Sequence, residues 1–451
     1  MISLFRNIQI YILFAQNLEL LKSLVRAVIY RLSYQLCFFV VGLFLAAIAG
    51  AQSFGVISLM IVNAAAFIII TDFGTGAALV WHGAGNEMRQ ERIFSFAAGS
   101  GLVQLLLFLL AELVVVKISG RTLLTRQIFD RSYFTAEILY FTGLIITERY
   151  TSLLYGTHKA VLANKALSIV TAGFLVVFIL MYAKIITGTD PFIFFCWMIF
   201  VLGLSVAVIF HTTVNKLSFE KPRDAELKSL LGFSAIVFFT NIIQFFAYRL
   251  DFWLVDFFYG HTQLGIYAQA NRFAQLVWVL PTIIASLLTP AIRNNDDPLT
   301  DRIFVVLARV LNLATIFIVF GVMAIAFFFY FRFFPKEYLT GLAALLIMLP
   351  GYFLFTTTTL LAAWFSARRF LSINLIGSSL CFVIILTADL ILIPAYSLKG
   401  AALANTLAYS ITTLYFILQI KRHLSTKMKD LFLWDKKDIP VLRHFFPHEP
   451  R

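Results

Sequence analysis

The chain has 451 residues, 61% of them hydrophobic and only 13% charged, with a formal net charge of +13. A soluble domain carries roughly 25% charged residues, so this composition excludes a water-soluble globule and fits a polytopic all-α protein whose helices cross a bilayer. The positive charge then reads as membrane topology, not as a nucleic-acid partner.

Residues 1–20 mix Arg6, Asn7, Gln9 and Gln16 into an apolar background. They show no small-residue cleavage site, so an interfacial segment is expected rather than a removed signal peptide. Apolar runs separated by charges, Gly or Pro then place about twelve spans at 31–50, 56–80, 94–116, 133–154, 166–186, 191–212, 232–258, 264–289, 306–330, 340–363, 372–393 and 401–420. The most charged connection, 213–231 (TVNKLSFEKPRDAELKSLL), falls in the middle. The expected organisation is a first six-helix bundle at 21–212, a cytoplasmic linker at 213–231, a second bundle at 232–420 and a basic cytoplasmic tail at 421–451.

With the N-terminus inside, most of the 36 Lys and Arg fall on the cytoplasmic side, among them Lys22, Arg26, Arg31, Lys221, Arg223, Lys228 and the tail from Lys421. An even number of spans puts both termini there. The tail, KRHLSTKMKDLFLWDKK, suits either an anionic lipid surface or solvent. Cys37, Cys196 and Cys381 each sit inside an apolar run, as small core residues do, without disulfide spacing.

The chain also repeats itself. Phe54-Gly55-Val56 returns as Leu264-Gly265-Ile266, a shift of 210 (265 − 55), and Tyr155, Lys159 and Asn164 return as Phe365, Arg369 and Asn374. LKSL at 21–24 returns at 227–230, a shift of 206 (227 − 21), which an insertion of four residues in the seventh span reconciles. Two parallel six-helix repeats around a central cavity describe a carrier that opens to alternate sides.

Charges inside spans cost about 2.5–3.5 kcal/mol each at the bilayer centre, and here they recur. IIQFFAYRLDFWLVDFFYG, 242–260, carries Arg249, Asp251 and Asp256. Arg249 and Asp256 are seven apart and share one helix face, while Gln244 and Asp251 share another. Arg31 lies in the first span and Asp72 in the second, where Gly74 and Gly76 permit close approach or local unwinding. Glu148-Arg149 lies in the fourth span, Asn271-Arg272 in the eighth and Asp389 in the eleventh, with Arg309 near an end of the ninth, where it can snorkel.

Scaffold ion pairs, Arg249 with Asp256 or Glu148 with Arg149, are one reading of these groups. A hydrated substrate path is the other, and it accounts for the set together. Arg31, Arg149, Arg249 and Arg272 then suit an anionic group, since guanidinium pairs with phosphate through two hydrogen bonds. Asp72, Glu148, Asp251, Asp256 and Asp389 are the candidates for ion pairing or for coupling to protons or sodium. No resident cofactor or metal is expected: His444 and His448 are interrupted by Pro447, and DFGTGA follows no soluble strand.

The segment RLDFWLVDFFYGHTQLGIYAQANRF, followed by Pro281 and Thr289-Pro290-Ala291, resembles the second-half signature of polysaccharide flippases. That signature has an Asp in the seventh helix, a Gly-x-Tyr-x-x-Ala start to the eighth and a closing Pro. Asp251, Gly265, Tyr267 and Ala270 stand at those places. SFGVISL and LKGAALANTLAYS are similar to the same family, the O-antigen (Wzx-type) flippases of the multidrug/oligosaccharidyl-lipid/polysaccharide exporter superfamily. The resemblance implies a non-enzymatic carrier in a bacterial inner membrane. Its substrate would be an undecaprenyl-pyrophosphate-linked oligosaccharide, moved to the periplasmic leaflet with lipid and other polysaccharide assembly proteins as partners. The alternatives are a multidrug exporter, which acidic first-half residues would favour, and a membrane polymerase, which would need a large outward loop.

Overall fold

The computed structural model describes residues 18–84, 88–214, 219–293, 298–424 and 428–433. Most of the expected interfacial segment and most of the basic tail, with His444 and His448, lie outside the described residues. Those described form twelve α-helices: α1 (Leu18–Asp72), α2 (Thr75–Ala84), α3 (Gln90–Ser119), α4 (Arg131–Gly156), α5 (Ala160–Tyr182), α6 (Pro191–Thr213), α7 (Asp224–Arg293), α8 (Pro298–Arg332), α9 (Leu339–Ala367), α10 (Leu371–Tyr396), α11 (Leu398–Leu424) and α12 (Met428–Phe432). A single 3₁₀ turn, Lys336–Tyr338, precedes α9.

Among the described residues nine helices are long and apolar enough to cross a membrane. Two of them, α1 and α7, each contain two expected spans joined at a kink. The fourth expected span, α4, carries Glu137, Glu148 and Arg149, charges that lower the hydropathy of a helix still 26 residues long. The protein is a multi-pass, all-helical membrane protein. Its surface confirms the solvent: on α3, Leu102, Val103, Leu106, Leu107, Leu110, Leu113 and Val114 are all exposed, a stripe that only lipid would wet.

The kinks are the plainest mark of the duplication. Gly50 breaks α1 with φ 75° and ψ 171°, and Gly260 breaks α7 with φ 78° and ψ 178°. This backbone region is essentially closed to residues with a Cβ. The two glycines stand at the same 210-residue shift that the sequence repeat shows. After the first kink the freed N–H of Ala51 donates to Glu337 Oε1 at 2.7 Å, as an N-cap would.

The chain divides into two compact units. One comprises the described residues up to Ala49 together with Asn63–Asn241, and the other comprises Gly50–Val62 with the described residues from Ile242. The division therefore passes through α1 and α7. The expected linker is helical from Asp224 onward, because its charged half, DAELKS, has good helix formers behind the Pro222-Arg223 break.

In the first unit α4 packs along α6, and Asp130 and Asp190 cap these helices through the N–H groups of Ser132 and Phe192, each at 2.8 Å. The loop before α4 is held from below by two carboxylates. Leu123 N–H donates to both oxygens of Glu112 at 3.0 and 3.2 Å, and Thr125 Oγ1 donates to Glu137 at 2.6 Å. In the second unit α9 packs along α11, over a core that includes Phe304, Leu360, Trp364, Phe365 and Phe416.

Candidate functional site

In the first unit the charges organise around a broken helix. The second span unwinds at Phe73 and Gly74, whose φ values are 51° and 76°, as the TDFGTG sequence suggests. Helix α2 then begins at Thr75, and Asp72 caps it. The Thr75 hydroxyl donates to Asp72 Oδ1 at 2.5 Å and the Gly76 N–H to Oδ2 at 3.2 Å. Arg149 arrives from α4 with Nη2 2.6 Å from Asp72 Oδ1, and it also donates to Thr75 Oγ1 at 2.6 Å and to Gln104 Oε1 at 3.0 Å. Gln104 in turn donates to the Ile68 carbonyl at 3.2 Å and to Thr71 Oγ1 at 3.0 Å.

This lattice is buried. Arg149 is 3% exposed and Gln104 1%. Glu148, a residue earlier on α4, turns aside to a small cavity of about 60 Å³ shared with Asp72, Gly74 and Asn241. Adjacent helical residues diverge by about 100°, so Glu148 and Arg149 serve different neighbours, and Arg149 pairs with Asp72. Arg31 stands apart, its guanidinium 5.5 Å from the Tyr34 ring.

In the second unit Arg249 and Arg272 meet. They line one cavity of about 80 Å³ with Ser58, Asn271, Gln275, Phe54 and Phe252. Each guanidinium sits over a phenyl ring, Arg249 5.2 Å from the centroid of Phe252 and Arg272 5.7 Å from that of Phe54. The ring of Phe252 holds the Arg249 cation electrostatically without neutralising it. Among the described residues Arg249 has no ion pair. Asp256 turns the other way and meets His261 Nδ1 at 2.6 Å. Asn271 accepts from Gln275 Nε2 at 2.5 Å and from the Tyr352 hydroxyl at 3.3 Å, which leaves its amide group available to orient toward the cavity.

Asp251 is buried. Its carboxylate accepts from the Tyr267 hydroxyl, and from Asn405 Nδ2 at 3.0 Å. Asp389 on α10 is fully buried and lies within electrostatic reach of Asp251. Among the described residues neither of its oxygens has a hydrogen-bond partner.

Sequence reading found the nine charged candidates but not their supports. Gln104, Gln275, Ser58 and Asn405 are uncharged, and only Gln104, alone in a run of Leu and Val, stands out in the sequence. The loop-holding Glu112 and Glu137 carry the same signal as Glu148, a carboxylate in an apolar run.

Residues 44–339 match the family described as polysaccharide biosynthesis protein. No curated protein matches the sequence. Among solved structures, the chain resembles the lipid II flippase MurJ in an inward closed conformation, with a TM-score of 0.66 at 16% identity over 94% of each chain. It resembles an inward-facing multidrug resistance MATE family transporter of the MOP superfamily, with a TM-score of 0.64 at 14% identity over 88% of this chain and 98% of the other. A MOP superfamily transporter from Pyrococcus furiosus gives 0.58 at 16% identity, covering 90% and 96%. At these identities the fold is what is shared.

Proposed function

The chain belongs to the polysaccharide biosynthesis protein family, and from that premise we propose that it is a flippase. Its substrate is an undecaprenyl-pyrophosphate-linked oligosaccharide, an O-antigen or related surface polysaccharide repeat unit. It carries this lipid from the cytoplasmic to the periplasmic leaflet of a bacterial inner membrane by alternating access. Both termini lie in the cytoplasm, as the distribution of Lys and Arg favours.

The observation that carries this reading is the cavity shared by Arg249 and Arg272. A diphosphate crossing hydrocarbon bare would pay many kcal/mol of desolvation. Two guanidinium groups held on phenyl rings repay that cost through charge-assisted, paired hydrogen bonds. Ser58, Asn271 and Gln275 supply further polar contacts for the phosphate or the first sugar, while the polyprenyl tail stays in lipid. The Asp72–Arg149 lattice supports the broken helix, with Glu148 beside it.

Coupling falls to Asp251 and Asp389. Asp389, without a hydrogen-bond donor among the described residues, is costly as a bare anion, and a proton or a sodium ion relieves that cost, with Asp251 in electrostatic reach. Coupling to either ion would thus be read at α10 and α7.

The test is complementation of a strain lacking the gene, with expression and membrane insertion verified. Arg249→Ala and Arg272→Ala are expected to abolish surface polysaccharide. Full complementation by both would remove the cavity from the mechanism.

A further inference from the structure

Beside the arginine cavity the second unit carries a cluster of aromatic rings. Trp278 stacks on Tyr352 with centroids 4.3 Å apart and planes at 20°, and its Nε1–H donates to the Tyr352 carbonyl at 3.2 Å. Tyr409 and Phe355 pack against the indole at 5.4 and 5.2 Å, and Tyr248 stands 5.7 Å from it. Tyr352, Tyr409 and Phe355 are buried. Tyr248 and Trp278 each keep part of their surface open.

The open side is polar. Gln244, exposed in the middle of a span, donates through Nε2 to the Tyr248 hydroxyl at 3.1 Å. Gln275, also partly exposed, lies about one turn before Trp278 and lines the arginine cavity. Lipid tails offer an amide nothing to bond, so these side chains face a wet path and not the bilayer. A cluster serving only as core would bury both rings and need no amides beside them.

The cluster and the cavity are continuous. Asn271, Gln275 and Trp278 follow one another at four and three residues, so one face of α7 carries all three. From Asn271, in the cavity, to Trp278 is about 10 Å along the helix axis. Earlier on the same helix, Tyr248 directly precedes Arg249.

We propose that Tyr248 and Trp278, with the amides of Gln244 and Gln275, form a shelf for the sugar that the diphosphate carries. The inference rests on the function proposed above and extends its cavity: Arg249 and Arg272 take the diphosphate, and the rings take the pyranose linked to it. A pyranose presents C–H bonds on a face and hydroxyls around its rim. The electron-rich faces of Trp and Tyr attract polarised C–H groups, and an amide both donates to and accepts from hydroxyls. A bare polyprenyl diphosphate has nothing to place there.

The test is equilibrium binding to the full chain in nanodiscs. The probes are the lipid-linked oligosaccharide extracted from a strain lacking the gene, and undecaprenyl pyrophosphate without sugar. Wild type is expected to bind the sugar-bearing lipid about tenfold more tightly than the bare one, the scale of one or two ring contacts. Trp278→Leu and Tyr248→Leu are each expected to lose most of that preference, and Tyr248→Phe, which keeps the ring, to retain it. A substitution that only unsettled the fold would weaken both lipids alike and leave their ratio in place. Equal affinity of wild type for the two lipids, or an unchanged ratio in both Leu variants, overturns this inference alone. Failure of wild type to bind either lipid overturns the flippase reading and this inference with it. Should Trp278→Leu not fold, the ratio in Tyr248→Leu decides.

Discussion

Arg149 pairs with Asp72, 77 positions earlier in the chain (149 − 72), and not with Glu148 beside it. The pair holds a helix that has come apart: Asp72 caps the restart at Thr75 while Arg149 ties that cap to α4 and, through Gln104, to α3. Removing one partner leaves the other as an uncompensated buried charge, which costs about 3–5 kcal/mol. Arg149→Ala is therefore expected to lower the thermal stability of the purified protein sharply. Adding Asp72→Ala to it should cost less than the two single losses combined. Strict additivity in a double-mutant cycle would show that the two side chains do not act together.

The second-unit arginines are expected to behave in the opposite way. Arg249 rests on Phe252 inside a cavity and carries no packing lattice, so Arg249→Ala should leave the melting temperature nearly unchanged. Binding of an undecaprenyl-pyrophosphate-linked oligosaccharide should weaken by about ten- to a hundredfold, the equivalent of one charged hydrogen bond of about 1.5–3 kcal/mol. Arg249→Lys keeps the charge and loses the paired geometry, so partial binding is expected. Equal affinity in wild type and Arg249→Ala, measured by quenching or microscale titration, would place the diphosphate elsewhere.

Gly55 and Gly265 cannot carry side chains. A Cβ on Gly55 would lie 1.8 Å from the His261 carbonyl oxygen, and one on Gly265 would lie 1.9 Å from that of Ala51. Both obstacles are backbone, which has no rotamer to escape through. Gly55→Ala and Gly265→Ala should each prevent accumulation of monodisperse protein, whereas Gly99→Ala, with open space around it, should be tolerated. Size-exclusion profiles of the three variants distinguish the outcomes.

Asp389 offers a separate readout. Asn is nearly isosteric with Asp and lacks the charge, so Asp389→Asn should preserve the fold. In proteoliposomes, flipping by this variant should no longer respond to an imposed proton or sodium gradient. Retained acceleration by both gradients would move the coupling group away from α10.

Much of the architecture was legible in the chain itself because lipid imposes a simple rule. Every backbone polar group must be paired within the span, so long apolar runs become helices. The 210-residue repeat announced itself through Gly55 and Gly265, and the structure adds that Gly50 and Gly260 break α1 and α7 at the same shift. Sequence also marked Asp72, Arg149, Arg249, Arg272 and Asp389, since a charge inside a span is costly and is retained only with a partner or a task.

Which partner each charge takes was decided by tertiary packing. Helical spacing put Arg249 and Asp256 on a common face and Glu148 next to Arg149, yet ion pairs depend on what stands across a few ångströms of space. Asp72 won Arg149 because Gly74 unwinds the chain there, and His261 won Asp256 because Gly260 turns the chain back. Arg309 and Asn312 found the carbonyls of Asp430 and Leu431, more than a hundred residues away. Periodicity along one helix names the face a side chain occupies, and only the fold supplies the neighbour that face meets.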